Sequence, residues 1–227
     1  MTCCEQFPPH AHHPRVATDT STGAIDSFEF IGRAAWTHID AAWAGPLRLC
    51  DRYADRLAGV EKADSVAISA HKWLFQPKEA GLILFQDVDA AHQAICFGGA
   101  YLTRPNVGVL GSHGANAVAL LATLLALGRQ GIAERIERCV AIAEHFASFV
   151  ADDARLELHE WPTAGVVNWR PIIGDTKDLL ERLPDGSTST TRLSGDIWLR
   201  NVAANPNVDI KAFIQSVECA LPARSGG

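Results

Sequence analysis

The sequence predicts an α/β protein with a largely parallel sheet and a smaller C-terminal α+β lobe. Short apolar runs alternate with longer amphipathic segments, and strands separated by helices are typical of parallel sheets. Of the 227 residues, 48% are hydrophobic and 20% are charged, which is an ordinary globular composition. The formal net charge of −6 argues against a protein that binds nucleic acid through its phosphates.

The first half of the chain carries four short β-type runs, each bounded by glycine, proline or polar residues. We predict strands at Arg15–Thr18, Thr37–Asp40, Ser65–Ser69 and Gly81–Phe85. A helix-compatible stretch, Leu47–Leu57, separates the second run from the third. The link from the third run to the fourth is too short for a parallel crossover, so we expect the fourth strand to pair antiparallel with a neighbour.

Helical patterns follow. Ala115–Leu127 is apolar nearly all round, which predicts a buried helix, and apolar residues spaced by three and four over Ile132–Phe149 predict an amphipathic one. A β-β-α-β-α pattern comes next, at Leu156–Trp161, Val166–Arg170, Lys177–Leu183, Ile197–Val202 and Ile210–Leu221. The predicted organisation is a disordered leader over residues 1–14, a large domain over 15–150 and a small domain over 151–227.

Targeting and redox features favour a cytoplasmic protein. No apolar run approaches the roughly 18–20 uninterrupted residues that cross a bilayer, and the first residues lack the basic start and apolar stretch of a secretory signal. The six cysteines follow no regular spacing, so we interpret them as free thiols. Cys3 and Cys4 with His10, His12 and His13 match no standard zinc pattern, and no metal site is predicted.

Two segments carry the candidate chemistry: HIDAAWAG at 38–45 and ADSVAISAHKW at 63–73. Asp40 and Lys72 each follow a predicted strand, and ligands of open α/β sheets bind outside the carboxyl ends of strands. Apolar neighbours of Lys72 favour a partly desolvated amine, which suits a nucleophile. Asp40 also has apolar neighbours and needs a cationic partner. A helix-capping aspartate and a solvated lysine are the plain alternative.

This pair of residues suits pyridoxal phosphate. That cofactor needs a lysine to bind it as a Schiff base and a carboxylate to keep its pyridine nitrogen protonated. The small side chain of Ala42, two residues after Asp40, leaves room for the ring to lie flat against the protein.

The motif pair HIDAAWAG and AHKWL, with ADSV leading into the lysine, resembles the group II pyridoxal-phosphate-dependent amino-acid decarboxylases. The resemblance covers roughly residues 15–221 and implies an aspartate-aminotransferase-like fold, that of the fold type I enzymes. Further similar segments are TSTGAID at 20–26, YLTRPNVGVLGSHGA at 101–115, NWRP at 168–171 and LRNVAANP at 199–206.

The resemblance implies roles for individual residues. Lys72 would be the Schiff-base lysine, Asp40 the partner of the pyridinium nitrogen, and Ala42 the residue packed on the ring. His71 would approach the phosphate or the substrate carboxylate, and Thr22 would lie near the cofactor.

The resemblance also implies a homodimer with shared sites, because Ser112 matches a position that reaches the phosphate from the neighbouring subunit. Tyr101 matches the proton donor of a mobile loop, or is simply a loop aromatic. We interpret His38 as a packed histidine, and Arg104 and Arg200 as structural or solvated rather than substrate-binding.

The implied activity is decarboxylation of an L-amino acid to the amine and carbon dioxide, that is, a carboxy-lyase. The family's N-terminal half, with its phosphate loop and ring-stacking histidine, has no counterpart in residues 1–14, and residues 28–37 are too few for the helix expected there. We therefore expect a chain truncated at its N-terminus relative to the family. A second chain that supplies the missing half, a non-catalytic remnant or interaction module, and other chemistry of the same cofactor such as amino transfer are the alternatives.

Overall fold

The computed structural model describes residues 12–29, 31, 35–97, 106–107 and 115–223. These residues form two compact units. The first contains the described residues up to Ala17 and those from Asp26 to Ile132, and the second contains Thr18–Ile25 and the residues from Ala133 onward. The sequence pattern predicted a boundary after residue 150, whereas the boundary between the units falls inside a long helix.

A four-stranded sheet in the order β1-β2-β3-β4 is the frame of the first unit. Its strands are β1 (His12–Val16), β2 (Trp36–Asp40), β3 (Ser65–Ser69) and β4 (Gly81–Phe85). The first three strands run parallel, and β4 is antiparallel to β3, which confirms the pairing expected from the short β3–β4 link.

Strand β1 begins three residues before the predicted strand, so residues 12–14 belong to the sheet and not to a leader. Pro14 has no N–H to donate to a ladder. It is tolerated because β1 is the edge strand of the described sheet.

The helix predicted over Leu47–Leu57 is wrong. The structure has two short 3₁₀ helices there, Gly45–Leu49 and Ala54–Leu57, separated by residues 50–53, of which Cys50 is extended. Neither helix has a side-chain N-cap, and Pro46 opens the first of them. Without caps to offset the cost of nucleation, the turns close with i+3 hydrogen bonds and do not propagate.

Two α-helices contribute to the first unit, the second of them only as far as Ile132. The sequence pattern missed α1 (Val88–Ile95), which is followed by a two-stranded ladder of β5 (Cys96–Phe97) and β6 (Asn106–Val107). Helix α2 (Asn116–Asp152) is kinked at Gly128, whose φ of 62° and ψ of 179° are not helical.

The segment of α2 before the kink was predicted to be buried all round, and that prediction is wrong. Leu120 is buried, but Val118, Leu121 and Leu125 are between 55% and 77% exposed. The apolar composition predicted a helix buried on all sides, whereas the described residues bury only one side of it.

Helix α2 meets the length and composition criteria for a membrane span, with a mean hydropathy of 1.3 over its most apolar window. The kink at Gly128 changes that interpretation. Residues 116–127 at 1.5 Å per residue extend about 18 Å, well short of a hydrocarbon core of about 30 Å. Beyond the kink the helix carries charged residues, among them Glu134, Arg135 and Glu137. Helix α2 is therefore a poor candidate for crossing a bilayer.

The second unit is an antiparallel sheet in the order β7-β8-β10-β9 with helices packed on it. Its strands are β7 (Leu156–Leu158), β8 (Val166–Pro171), β9 (Ser189–Leu193) and β10 (Asp196–Val202). Its helices are α3 (Thr176–Arg182), N-capped by Asp175, and α4 (Ile210–Ala220), N-capped by Asp209. The core of this unit includes Phe146, Trp169, Leu199 and Val217.

Among the side chains that the structure describes, Cys50, Cys139 and Cys219 form no disulfide. Burial raises the pKa of Cys139 to about 11, and Cys219 is exposed. Because the thiolate is the reactive form, we expect iodoacetamide to label Cys219 and to spare Cys139 until urea unfolds the chain. Peptide mass spectrometry before and after unfolding measures this, and rapid labelling of native Cys139 would contradict the burial.

Candidate functional site

The carboxyl ends of β2 and β3 lie side by side. Asp40 is the last residue of β2 and pairs in register with Ala67 of β3. Beyond the strands, the Ala41 N–H donates to the Ala67 carbonyl at 2.9 Å and the Ser69 N–H donates to the Ala42 carbonyl at 3.3 Å. The segment that leads into Lys72 therefore starts beside Ala42, at the edge of the sheet where the sequence pattern expected a ligand.

The Asp40 carboxylate is oriented by the backbone. Its Oδ1 accepts the Ala42 N–H at 2.9 Å, and its Oδ2 has no hydrogen bond to any described residue. The side chain is exposed, and Ala42 beside it is half-buried. One carboxylate oxygen is thus fixed while the other remains available to a cationic group.

Lys72 lies in a turn that is anchored by buried neighbours. Its N–H donates to the Ser69 carbonyl at 3.2 Å. Trp73 is fully buried, and its ring lies 4.6 Å from that of Trp43. Lys72 itself is half-buried, and the buried Trp73 next to it anchors the turn.

The same turn contains a strained residue. Phe75 has a φ of 58°, a left-handed conformation that is uncommon for an aromatic side chain. The Gln76 N–H donates to the Ala70 carbonyl at 3.1 Å, and Gln76 Nε2 donates to Leu74 O at 2.8 Å and to Thr123 Oγ1 at 2.9 Å. Strain of this kind persists where surrounding contacts over-determine the backbone, and it is frequent at functional sites.

His71 carries an orphaned polar atom. Its Nδ1 is buried and has no hydrogen-bond partner within the described chain. Such an atom in a folded protein calls for an explanation, and a ligand that binds there is one. A phosphate or carboxylate oxygen would satisfy it. With the amine of Lys72, the open oxygen of Asp40 and the small Ala42, the residues present fit pyridoxal phosphate.

Thr22 belongs to the second unit and is engaged in its own turn. Its hydroxyl donates to Asp19 Oδ2 at 2.8 Å and accepts the Ala24 N–H at 3.1 Å. The structure therefore gives Thr22 a local structural role, and its proposed contact with a cofactor stays a prediction. Tyr101 and Ser112 lie outside the described residues.

Two other predicted side chains have structural partners. Arg200 Nε donates to the Thr20 carbonyl at 3.0 Å, and burial lowers the pKa of Arg200 while the charge of Asp19 opposes that shift.

His38 Nδ1 lies 2.7 Å from the hydroxyl of Ser65. The sequence pattern did not identify Ser65 as a hydrogen-bonding residue. A serine in an otherwise apolar strand run could have indicated it, because a buried hydroxyl needs a hydrogen-bond partner. Arg104 lies outside the described residues.

Replacing Asp19 by alanine is expected to destabilise the second unit by about 1 kcal/mol. The N–H of Thr22 is the main cause that holds the pKa of the Asp19 carboxyl below its usual value, assisted by the Thr22 hydroxyl and the Ser21 N–H. Because the folded pKa is the lower one, this stabilisation is present above about pH 3.9 and is lost as the pH falls through the folded pKa. Urea unfolding of both proteins at about pH 7 and pH 2.5 measures it, and a difference that does not change with pH would contradict it.

Residues 18–171 match the family model described as the pyridoxal-dependent decarboxylase conserved domain. This match covers more than half of the chain, and the protein belongs to that family. The chain is 32% identical over 181 residues to histidine decarboxylase of Drosophila melanogaster, covering 72% of this chain and 21% of the relative. It is 29% identical over 222 residues to tryptophan decarboxylase 2 of Oryza sativa subsp. japonica, covering 82% and 43%.

Solved structures agree on the fold. The Oryza sativa TDC structure with PLP and tryptamine superposes with a TM-score of 0.78 at 21% identity, covering 92% of this chain and 50% of that one. Mouse CSAD in apo form gives a TM-score of 0.77 at 20% identity, covering 91% and 51%. The fold is therefore aspartate-aminotransferase-like, and the chain spans about half the length of these proteins or less.

Proposed function

We propose that this chain takes part in pyridoxal-phosphate-dependent decarboxylation of an L-amino acid, giving the amine and carbon dioxide, with Lys72 as the residue that binds the cofactor. The observation that carries the proposal is the placement of Asp40 and of the pair His71-Lys72 at the adjoining carboxyl ends of two parallel strands. Membership of the pyridoxal-dependent decarboxylase family and the names of the relatives, decarboxylases of several amino acids, support it.

Each residue has a distinct task. Lys72 Nζ would hold the cofactor, and Asp40 Oδ2 would pair with its pyridine nitrogen. His71 Nδ1 meets a phosphate or carboxylate oxygen, and Ala42 leaves room for the ring. When bound, the cofactor supplies an electron sink for the bond that loses carbon dioxide. Lys72 Nζ, or Tyr101 as the alternative, delivers the proton that replaces the carboxylate.

The active form we propose is a homodimer. The alternative is a pair of different chains, in which the second chain supplies the N-terminal half of the family's fold. Ser112 would then act at the site of the neighbouring subunit. A cytoplasmic location is part of the same proposal. Cross-linking and size-exclusion chromatography distinguish the homodimer from a pair with a second, different chain.

An interaction module without cofactor is the second candidate function. The exposed apolar side of α2, with Val118, Leu121 and Leu125, favours it because large exposed apolar patches mark interaction sites.

Borohydride reduction after addition of pyridoxal phosphate tests the proposal. We expect peptide mass spectrometry to find the cofactor on Lys72. We expect Lys72→Ala to remove this adduct, and also to remove the visible absorbance of the bound cofactor before reduction. Lys78→Ala is the matched control, because Lys78 is an exposed lysine six residues further along. No adduct, or an adduct on Lys78 instead, would support the interaction module.

Product analysis with a panel of amino acids separates the reaction classes. Release of carbon dioxide with the matching amine supports decarboxylation. A keto acid without carbon dioxide supports amino transfer instead.

A further inference from the structure

Three polar side chains form a hydrogen-bonded chain across β2 and β3. Trp36 Nε1 donates to Ser65 Oγ at 3.0 Å, and the same Oγ lies 2.7 Å from His38 Nδ1. Ser65 is 3% exposed, while Trp36 and His38 are half-buried. His38 pairs in register with Ser65, and strand alternation places Trp36, His38 and Asp40 on one face of the sheet.

The hydrogen-bond capacities of these groups fix the position of each proton. An indole nitrogen can only donate, so the bond from Trp36 occupies an acceptor position on the Ser65 oxygen. The hydroxyl proton of Ser65 needs an acceptor, because a buried unsatisfied hydroxyl is unfavourable. Within the described residues, His38 Nδ1 is the acceptor available to it. His38 Nδ1 therefore accepts, and the neutral imidazole carries its proton on Nε2.

Strand alternation places His38 on the sheet face that carries Asp40. The two ring nitrogens lie on different sides of the imidazole, so with Nδ1 bound to Ser65 the Nε2–H points away from β3. Residues 38 and 40 of one strand are about 6.6 Å apart along it, and Asp40 has one oxygen open. A neutral imidazole at this position adds no positive charge beside Asp40, whereas an imidazolium would compete with the cationic partner of Asp40.

We propose that Ser65 holds His38 as the Nε2–H tautomer and that His38 is a positioning residue, acting through Asp40 on the pyridine nitrogen of the cofactor. The action of His38 on the cofactor rests on the proposed function. The tautomer is a property of the protein alone.

Nitrogen-15 NMR of histidine-labelled protein at about pH 8, above the ordinary titration range of histidine, tests the tautomer. His38→Gln identifies the signal among the nine histidines. We expect His38 to show the Nε2–H pattern, Ser65→Ala to shift it towards Nδ1–H or a mixture, and Ser65→Thr to restore it by returning a hydroxyl. An Nδ1–H pattern in the wild type, or no change in a folded Ser65→Ala, overturns the inference.

A double-mutant cycle tests the action through Asp40. We expect Ser65→Ala to weaken the affinity for pyridoxal phosphate severalfold in the wild-type background and to have no further effect in Asp40→Asn. Equal effects in both backgrounds overturn the route through Asp40. Wild-type protein that takes up no cofactor overturns the proposed function and this route together, whereas the tautomer is decided by the NMR measurement alone.

Discussion

Replacing Asp40 by asparagine is expected to lower the proposed decarboxylation by on the order of 10²-fold or more, the scale of removing one electrostatic group from an active site. The amide is nearly isosteric and keeps an oxygen to accept the Ala42 N–H, so the strand end keeps its geometry. In the proposed function, this variant removes the negative charge opposite the pyridine nitrogen, and with it the stabilisation of the protonated ring. Carbon dioxide release at saturating substrate, together with a cofactor titration, measures both consequences.

Asp55→Asn is the matched control, because it removes the same charge from an exposed position in the 3₁₀ helix at 54–57. We expect that variant to retain activity and cofactor affinity. If Asp40→Asn kept activity within about threefold of the wild type, Asp40 would not be the partner of the ring nitrogen and the assignment of the site would be wrong.

Much of the candidate site was predictable from the sequence because strand ends are local features. The runs that end at Asp40 and shortly before Lys72 are short, apolar and bounded by polar residues, and parallel pairing brings their carboxyl ends together. The antiparallel β4 was predictable for a similar reason, since the length of a link limits the pairing of the strands that it joins.

Other elements were missed because their sequences carry little hydrophobic periodicity. Strand β9 (Ser189–Leu193) is mostly polar and lies at an edge of its sheet. Its signal is the turn that follows, where Ser194 and Gly195 both have positive φ, as in a tight two-residue hairpin.

Burial depends on partners that periodicity does not reveal. Ala115–Leu127 has the composition of a buried helix, yet Leu125 is 77% exposed. The hydrogen-bonded chain of Trp36, Ser65 and His38 was unpredictable for a related reason. His38 and Ser65 are 27 positions apart in the sequence, and strand register alone brings them together.

Replacing Trp169 by alanine is expected to destabilise the second unit by about 3–5 kcal/mol, the usual cost of removing a large buried aromatic side chain. Trp169 is fully buried in the core of that unit, with its ring edge-on to Phe146 at 5.4 Å between centroids. Its Nε1 also donates to Asn201 Oδ1 at 2.7 Å. Urea unfolding followed by circular dichroism measures the change through the midpoint and the slope of the transition.

Two further variants separate packing from hydrogen bonding. Trp169→Phe keeps most of the aromatic volume and leaves Asn201 Oδ1 without its donor, so we expect a loss of about 1–3 kcal/mol. Trp161→Ala removes the same type of side chain from a position that is 52% exposed, and we expect a change within about 0.5 kcal/mol. If Trp169→Phe cost as much as Trp169→Ala, the hydrogen bond to Asn201 would outweigh the packing of the ring. If Trp161→Ala cost as much as Trp169→Ala, the difference in burial between these two tryptophans would not govern stability.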